Sequence, residues 1–174
     1  MQTDIDFEVA IIGTGFSGLC MAIALKNAGV DSFILLEKGD DVGGTWRENQ
    51  YPGCACDIPS HLYSFSFAPN PNWSRMYSPQ PEIWEYVQRI TDQYGLRPHI
   101  RFNTAMTAAR FDEASANWSV ETSNGATIRS RTLVAAMGAL SRPSMPNIPG
   151  MESFAGLSFH SQQWNRDFDL SGKR

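Results

Sequence analysis

The chain has only three cysteines, Cys20, Cys54 and Cys56, among 174 residues. A small secreted domain held by disulfides carries more of them, in even number, so a disulfide framework is excluded and a reducing, cytoplasmic setting is expected. Cys54-Ala55-Cys56 has no second cysteine pair to complete a tetrahedral site, so no metal is expected, and the two are too close for a redox disulfide. Positive charge is also scarce. Fourteen Lys and Arg stand against 18 Asp and Glu, for a net charge of −4. A nucleic-acid surface needs clustered excess Lys and Arg, and none is present. Long apolar runs are missing too. Val9 to Leu25 is uncharged, but it is shorter than a membrane span and interrupted by Gly13, Gly15 and Gly18. Asp4, Asp6 and Glu8 precede it, where a signal peptide carries positive charge. No membrane segment, repeat or low-complexity tract is expected.

What remains is ordinary globular composition, 42% hydrophobic and 18% charged, enough for one domain with a core. Phe7 to Ile12 is a short apolar run that ends at Gly13, as a buried parallel strand does. Ser17 to Ala28 reads as a helix, apolar nearly all round and therefore buried, with Gly29 as its stop. Ser32 to Leu36 is a second apolar strand. Strand, glycine turn, helix and strand make a βαβ unit. From Gly39 to Pro81 periodicity disappears among Gly, Pro, Asn and aromatic residues, as in a long functional loop. Pro81 to Tyr94 is a helix with Ile83, Val87, Ile90 and Tyr94 on one face. Ile100 to Phe102, Met106 to Phe111 and the alternating Trp118, Val120 and Thr122 read as strands. Asn124-Gly125 marks a tight turn into a partner strand, Ala126 to Arg131. Leu133 to Met137 is then read as a separate buried strand that returns to the parallel sheet. Ser141 to Gly150, with three prolines, is a linker. The fold class is α/β: a Rossmann-like parallel sheet with helices and an added antiparallel β-meander.

Gly13-Thr14-Gly15-Phe16-Ser17-Gly18 matches the dinucleotide fingerprint. The first glycine allows the tight turn, the second lets backbone approach a pyrophosphate, and the third lets helix and strand pack closely. Phe16 and Ser17 open the helix, whose amino end faces the phosphates with unpaired N–H groups. Glu37 closes the second strand about 20 residues on, where a carboxylate accepts hydrogen bonds from ribose hydroxyls. The pattern by itself leaves FAD and NAD as alternatives.

Glu37-Lys38 followed by Gly43-Gly44-Thr45-Trp46 resembles the second motif of flavin-dependent monooxygenases. Tyr51-Pro52-Gly53-Cys54-Ala55-Cys56-Asp57 and Tyr63-Ser64-Phe65-Ser66-Phe67 are similar to the segment that follows in the Baeyer–Villiger branch. Val134-Ala135-Ala136-Met137-Gly138 resembles that branch's "ATG" turn, with Met137 in place of threonine. Phe154-Ala155-Gly156-Leu157-Ser158-Phe159-His160-Ser161-Gln162-Gln163-Trp164 fits its fingerprint F-x-G-x-x-x-H-x-x-x-W. Asn165 departs from the Pro or Asp that normally follows.

The resemblance implies an FAD-binding domain over residues 1–140. Residues 141–174 form a linker that leads to an NADPH-binding domain. It implies cofactor contacts from Gly13, Gly15, Phe16, Ser17, Gly18, Glu37, Lys38, Gly44, Thr45, Trp46, Asp57, Ile58, Tyr63, Met106 and Met137. Asp57 takes the catalytic role, helping to position flavin and nicotinamide, and His160 serves as a hinge or hydrogen-bonding residue of the linker. In the family, NADPH reduces FAD and O₂ gives a C4a-peroxyflavin, which converts a small-molecule ketone to an ester or lactone. The family's second glycine-rich fingerprint lies past a segment like Leu170-Ser171-Gly172-Lys173-Arg174, so the chain is expected to be truncated and inactive alone. Two alternatives stay open: an N- or S-oxygenating flavin monooxygenase, and a non-catalytic FAD-binding module.

Overall fold

The computed structural model describes residues 5–173; Asp4 and Arg174, both used in reading the sequence, lie outside the described residues. β1 (Phe7–Ile12), α1 (Phe16–Asn27) and β2 (Phe33–Leu36) form the βαβ unit. A long irregular segment follows, holding the one-turn helix α2 (Thr45–Glu48), and leads to α3 (Gln80–Gln93). The remaining strands are β3 (Ile100–Arg101), β4 (Met106–Asp112), β5 (Asn117–Thr122) and β6 (Thr127–Ala135). The six strands make one sheet in the order β3-β2-β1-β6-β5-β4. β1 pairs in parallel with β2 and β6, and β2 with β3, while β4, β5 and β6 form the antiparallel meander.

The two strands expected between Ala126 and Met137 are one. β6 pairs with β5 in its first half, Val120 opposite Ile128, and with β1 in its second, Ile12 opposite Ala135. Ser130 is the shared position, opposite both Trp118 and Phe7. The break expected at Thr132 does not occur, and Arg129 and Arg131 alternate outward past buried Ile128 and Ser130. Arg131 is paired there with Glu8 at 2.9 Å. Charge at every second position is compatible with an uninterrupted strand.

β1 and β2 are buried on both faces, as their continuous apolar runs require. One face packs Ile11 and Leu35 against Leu19, Ala22 and Ile23 of α1 and Val87 and Ile90 of α3. The other packs Ala10, Ile12, Ile34 and Leu36 with Val120 and Ile128 of the meander. Each such aliphatic side chain contributes about 1.5–3 kcal/mol by leaving water. α1 differs from expectation in one respect: it buries only the stripe Gly18, Leu19, Ala22 and Ile23 and leaves Met21 at the surface. Its length and apolar content allow burial all round, but only one face has a sheet to meet. α3 begins at Gln80 with proline in its first turn and Glu82 near its positive end, both favourable there.

Candidate functional site

The carboxyl ends of β1 and β2 lie side by side, Ile12 opposite Leu36. The chain therefore releases Gly13 and Glu37 at the same edge of the sheet. Gly13 takes φ +101°, and a Cβ on it would lie 2.7 Å from the carbonyl oxygen of Ala136. Only glycine fits both the backbone angle and that approach. A Cβ on Gly18 would stand 2.0 Å from the Gly13 carbonyl oxygen, so the third fingerprint glycine allows helix and turn to touch. Gly15 is different. Its φ is −75°, and a Cβ there would meet only the Cα of Gly44, at 3.8 Å. The space in front of Gly15 is thus bounded by another glycine. α1 starts at Phe16 with no side-chain cap on Gly15, so no side chain takes up the first-turn N–H groups.

Glu37 is 4% exposed, and its carboxylate ties the loops together. Oε2 accepts the backbone N–H of Thr14 at 3.0 Å and its hydroxyl at 2.5 Å, while Oε1 accepts the N–H of Gly39 at 2.9 Å. A carboxylate has about four acceptor sites, so capacity remains for a further donor. The Gly43 N–H donates to the Thr14 carbonyl at 3.0 Å, fixing the glycine pair against the fingerprint turn.

Beyond Gly44, α2 places Trp46 in a nearly closed position, its Nε1–H donating to the Tyr63 hydroxyl at 2.9 Å. The Phe16 ring meets Tyr63 edge-on, with centroids 5.4 Å apart. Burial pushes the Tyr63 hydroxyl above its ordinary pKa, the hydrogen bond from Trp46 opposes this, and the nearby Cys56 and Asp57 add to the rise. Asp57 and Ile58 are exposed next to this aromatic wall, and the Ile58 N–H donates to the Cys56 thiol sulfur at 3.3 Å. All three cysteines are free. Burial raises the Cys54 thiol, and a hydrogen bond with Tyr51 opposes it. Among the described residues no group of His, Cys, Asp and Glu is arranged to hold a metal ion.

Most of the residues singled out in the sequence are thereby joined: Gly13, Gly15, Phe16, Gly18, Glu37, Gly44, Trp46 and Tyr63 form one connected group. The Met137 backbone stands behind Gly13, its Cα 3.6 Å from where a Cβ would be. Thr45 opens α2, and Ser17 lies exposed in the first turn of α1. Lys38 faces away from Glu37 toward Glu48, at 2.7 Å. Met106 sits apart, on the far face of the sheet among the cluster containing Ile12 and Leu36. His160 caps the turn Ser161–Gln163, its Nδ1 accepting the Gln162 N–H at 3.1 Å.

Thr14, fully buried and bonded twice to Glu37, is missing from the residues picked out in the sequence. Its place inside the fingerprint, as a polar residue between two glycines, was the available signal. The Trp84 indole donating to the Val42 carbonyl at 2.8 Å, and Gln80 donating to the Trp46 carbonyl, also hold the glycine pair and α2. Both contacts span more than 30 residues of sequence and leave no local trace.

Residues 11–89 match the family model for an NAD(P)-binding Rossmann-like domain. A Baeyer–Villiger monooxygenase of Streptomyces coelicolor is 49% identical over 167 residues, covering 96% of this chain and 32% of that protein. The crystal structure of OTEMO in complex with FAD and NADP superposes with a TM-score of 0.90 at 38% identity, covering 99% of this chain and 34% of that one. Over the region they share, the chain is similar to Baeyer–Villiger monooxygenases. It spans about a third of the length of these relatives. An ε-caprolactone-bound cyclohexanone monooxygenase superposes at TM-score 0.88 with 36% identity over 97% of this chain and 34% of its own. The matched region of this chain is a mixed, mostly parallel sheet with helices. No helix among the described residues is long and apolar enough to cross a membrane.

Proposed function

We propose that this chain is the FAD-binding part of an NADPH- and O₂-dependent monooxygenase that converts small-molecule ketones to esters or lactones. Residues 1–140 form the FAD domain and residues 141–174 the linker. The observation that carries the reading is the pair Gly15 and Gly44. Backbone faces backbone there, at the uncapped amino end of α1. A pyrophosphate needs that combination: unpaired N–H groups, a favourable helix dipole, and no side chain in its way.

The other residues fit the same cofactor. Glu37, at the end of β2, retains acceptor capacity for ribose hydroxyls, and its charge disfavours a 2′-phosphate at that position. Lys38 and Thr45 flank it. Phe16, Trp46 and Tyr63 form an apolar wall with one hydroxyl, suited to holding a planar ring and keeping water from it. Asp57 and Ile58, exposed beside that wall, are placed to orient the rings, with Asp57 as the polar contact. Met137 stands behind the glycine turn, while Met106, on the far face of the sheet, has no place in this arrangement. A bound flavin supplies the redox chemistry with NADPH and O₂, while these side chains bind, orient and exclude solvent. The names of the relatives and the lactone in the cyclohexanone monooxygenase structure support ketone oxidation over attack at nitrogen or sulfur. The three free cysteines favour a cytoplasmic protein.

Flavin titration tests the cofactor assignment: the chain should hold FAD in clear preference to FMN, which lacks the pyrophosphate and adenosine ribose. Equal affinities would remove it. The reaction class is tested in a polypeptide of the relatives' full length, supplied with NADPH, air, a simple ketone and a simple thioether. Ester formation supports the reading, and sulfoxide without ester replaces it with S-oxygenation.

A further inference from the structure

Glu48 closes the helix that begins at the glycine pair, and its carboxylate is the point at which the linker meets the domain. The side chain is only 12% exposed. Oε1 lies 2.7 Å from the Lys38 ammonium and 3.5 Å from an Arg47 guanidinium nitrogen. Oε2 accepts the side-chain amide of Gln162. The Lys38 ammonium in turn donates to the Ser141 carbonyl at 2.6 Å. Ser141 and Gln162 are separated by a stretch of chain that carries three prolines and the 3-10 turn Met151–Ser153, yet both end on this one ion pair.

The linker side of the contact is itself fixed. His160 accepts the Gln162 N–H through Nδ1 at 3.1 Å and the Gln163 N–H through its carbonyl at 2.8 Å, which sets the direction of the Gln162 side chain. Trp164 stands edge-on to Phe159 at 5.0 Å and reaches Tyr51 at 6.5 Å. Around these contacts lies an open cleft of about 400 Å³, lined by Lys38, Arg47, Glu48, Gln162, Trp164 and Arg166. The linker is therefore not sealed to the domain by apolar packing. Its exposed Met145, Ile148 and Leu157 make that plain. A charged hydrogen-bonded anchor then decides where the segment rests.

We propose that Glu48 is a positioning residue. Its carboxylate clamps residues 141–164 onto the Lys38–α2 edge of the candidate flavin site, so that the placement of the linker is set electrostatically. The clamp is a property of this chain's own side chains. It bears on the flavin site only through the reading that Lys38 and Thr45 border FAD.

The test is amide hydrogen exchange over residues 158–164, together with tryptic cleavage after Arg166, on the full 174-residue chain at low and high salt. Glu48→Gln keeps an acceptor and loses the charge. It should speed exchange of the Gln162 and Gln163 amides and cleavage after Arg166 by about fivefold or more, and abolish most of their salt dependence. Gln162→Ala, on the outer side of the contact where it cannot unfold the domain, should give a similar gain. The double variant should add little beyond either single, because both remove one interaction. Unchanged exchange and cleavage in Gln162→Ala overturns the clamp, as does a fully additive double variant or equal salt dependence in Glu48→Gln. FAD titration of the same samples separates the two readings. Loss of protection in the variants of a chain that binds no FAD keeps the clamp and removes the cofactor assignment.

Discussion

The Glu37 carboxylate accepts two hydrogen bonds from one residue, Thr14: the backbone N–H at 3.0 Å and the hydroxyl at 2.5 Å. The residue that addresses the ribose in the proposed function is therefore also the strut of the glycine turn. Thr14→Val removes the hydroxyl while keeping shape. It should cost about 0.5–1.5 kcal/mol of stability, the net worth of one such bond, read from urea midpoints. Glu37→Ala should cost more in stability, since Thr14 and Gly39 both lose an acceptor, and should weaken FAD binding by about 1–3 kcal/mol. An unchanged midpoint in Glu37→Ala would show that the strut carries no weight. Unchanged FAD affinity would remove Glu37 from the site.

The fingerprint glycines should separate by role. A Cβ on Gly18 runs into the Gly13 carbonyl at 2.0 Å, backbone against backbone, so Gly18→Ala should destabilise the chain by about 3 kcal/mol or more. Gly15→Ala meets nothing closer than 3.8 Å and has an ordinary φ of −75°. Its stability should fall by no more than about 1 kcal/mol, the difference between glycine and alanine at an N-cap, yet FAD should bind at least tenfold more weakly, about 1.4 kcal/mol, because the methyl group occupies the phosphate approach. Gly15→Ala with full FAD affinity would mean that the space in front of Gly15 is not the pyrophosphate site.

These two glycines also show how far the sequence could be read. The fingerprint, the strand before it and Glu37 after it are local patterns, and they placed the β1–α1–β2 unit and pointed to residues that the fold gathers at one edge of the sheet. Their periodicity comes from burial, which acts residue by residue. The continuity of β6 was not legible, because alternating residues up to Arg131 give way to an unbroken apolar run from Leu133, which reads as two strands until the two neighbouring strands are known. Ser130 serves both partners only because β5 and β1 arrive on opposite sides of it. The same limit hid the supports of Gly43 and Gly44. The indole of Trp84 and the amide of Gln80 come from α3, and nothing near the glycines announces them. α2 escaped notice because one turn of helix has no period to detect. The outward face of α1 was misjudged for a related reason: apolar content permits burial but supplies no partner.

Trp46→Phe tests the aromatic wall. It keeps an aromatic ring, smaller than the indole, and deletes the donor to the Tyr63 hydroxyl, at a cost of about 0.5–1.5 kcal/mol for the hydrogen bond and more for the volume lost at this buried position. That hydrogen bond opposes the rise that burial imposes on Tyr63. Its loss should therefore move the Tyr63 titration further upward, away from the ordinary tyrosine value, as followed by ultraviolet difference absorption or NMR. A downward or absent movement would show that the indole does not reach the phenol in solution.

The last prediction concerns acid. Asp41 sits between β2 and the glycine pair and fastens that loop to the rest of the domain. Oδ1 accepts the Val42 N–H at 2.8 Å and an Arg97 guanidinium N–H at 3.0 Å, and Oδ2 accepts the Gln88 side-chain amide at 2.6 Å. Partial burial pushes its pKa upward, but the hydrogen bonds from Gln88, Val42 and Arg97 and the Arg97 charge outweigh it, so the pKa lies below the ordinary value of 3.8. A depressed carboxylate binds fewer protons in the folded chain than in the unfolded one, so stability rises with pH across that interval. The contribution is complete above the unfolded value, from about pH 5 upward, and is lost as pH falls through the folded pKa. Asp41→Asn should therefore lower stability at pH 7 by on the order of 1 kcal/mol, given that Arg97 is an exposed partner. The deficit should shrink as the pH is taken from 5 down toward 2, where the wild-type side chain is neutral as well. Urea unfolding of both proteins across that range measures it. A deficit that is constant with pH would mean that the ionised form of Asp41 does not hold the loop.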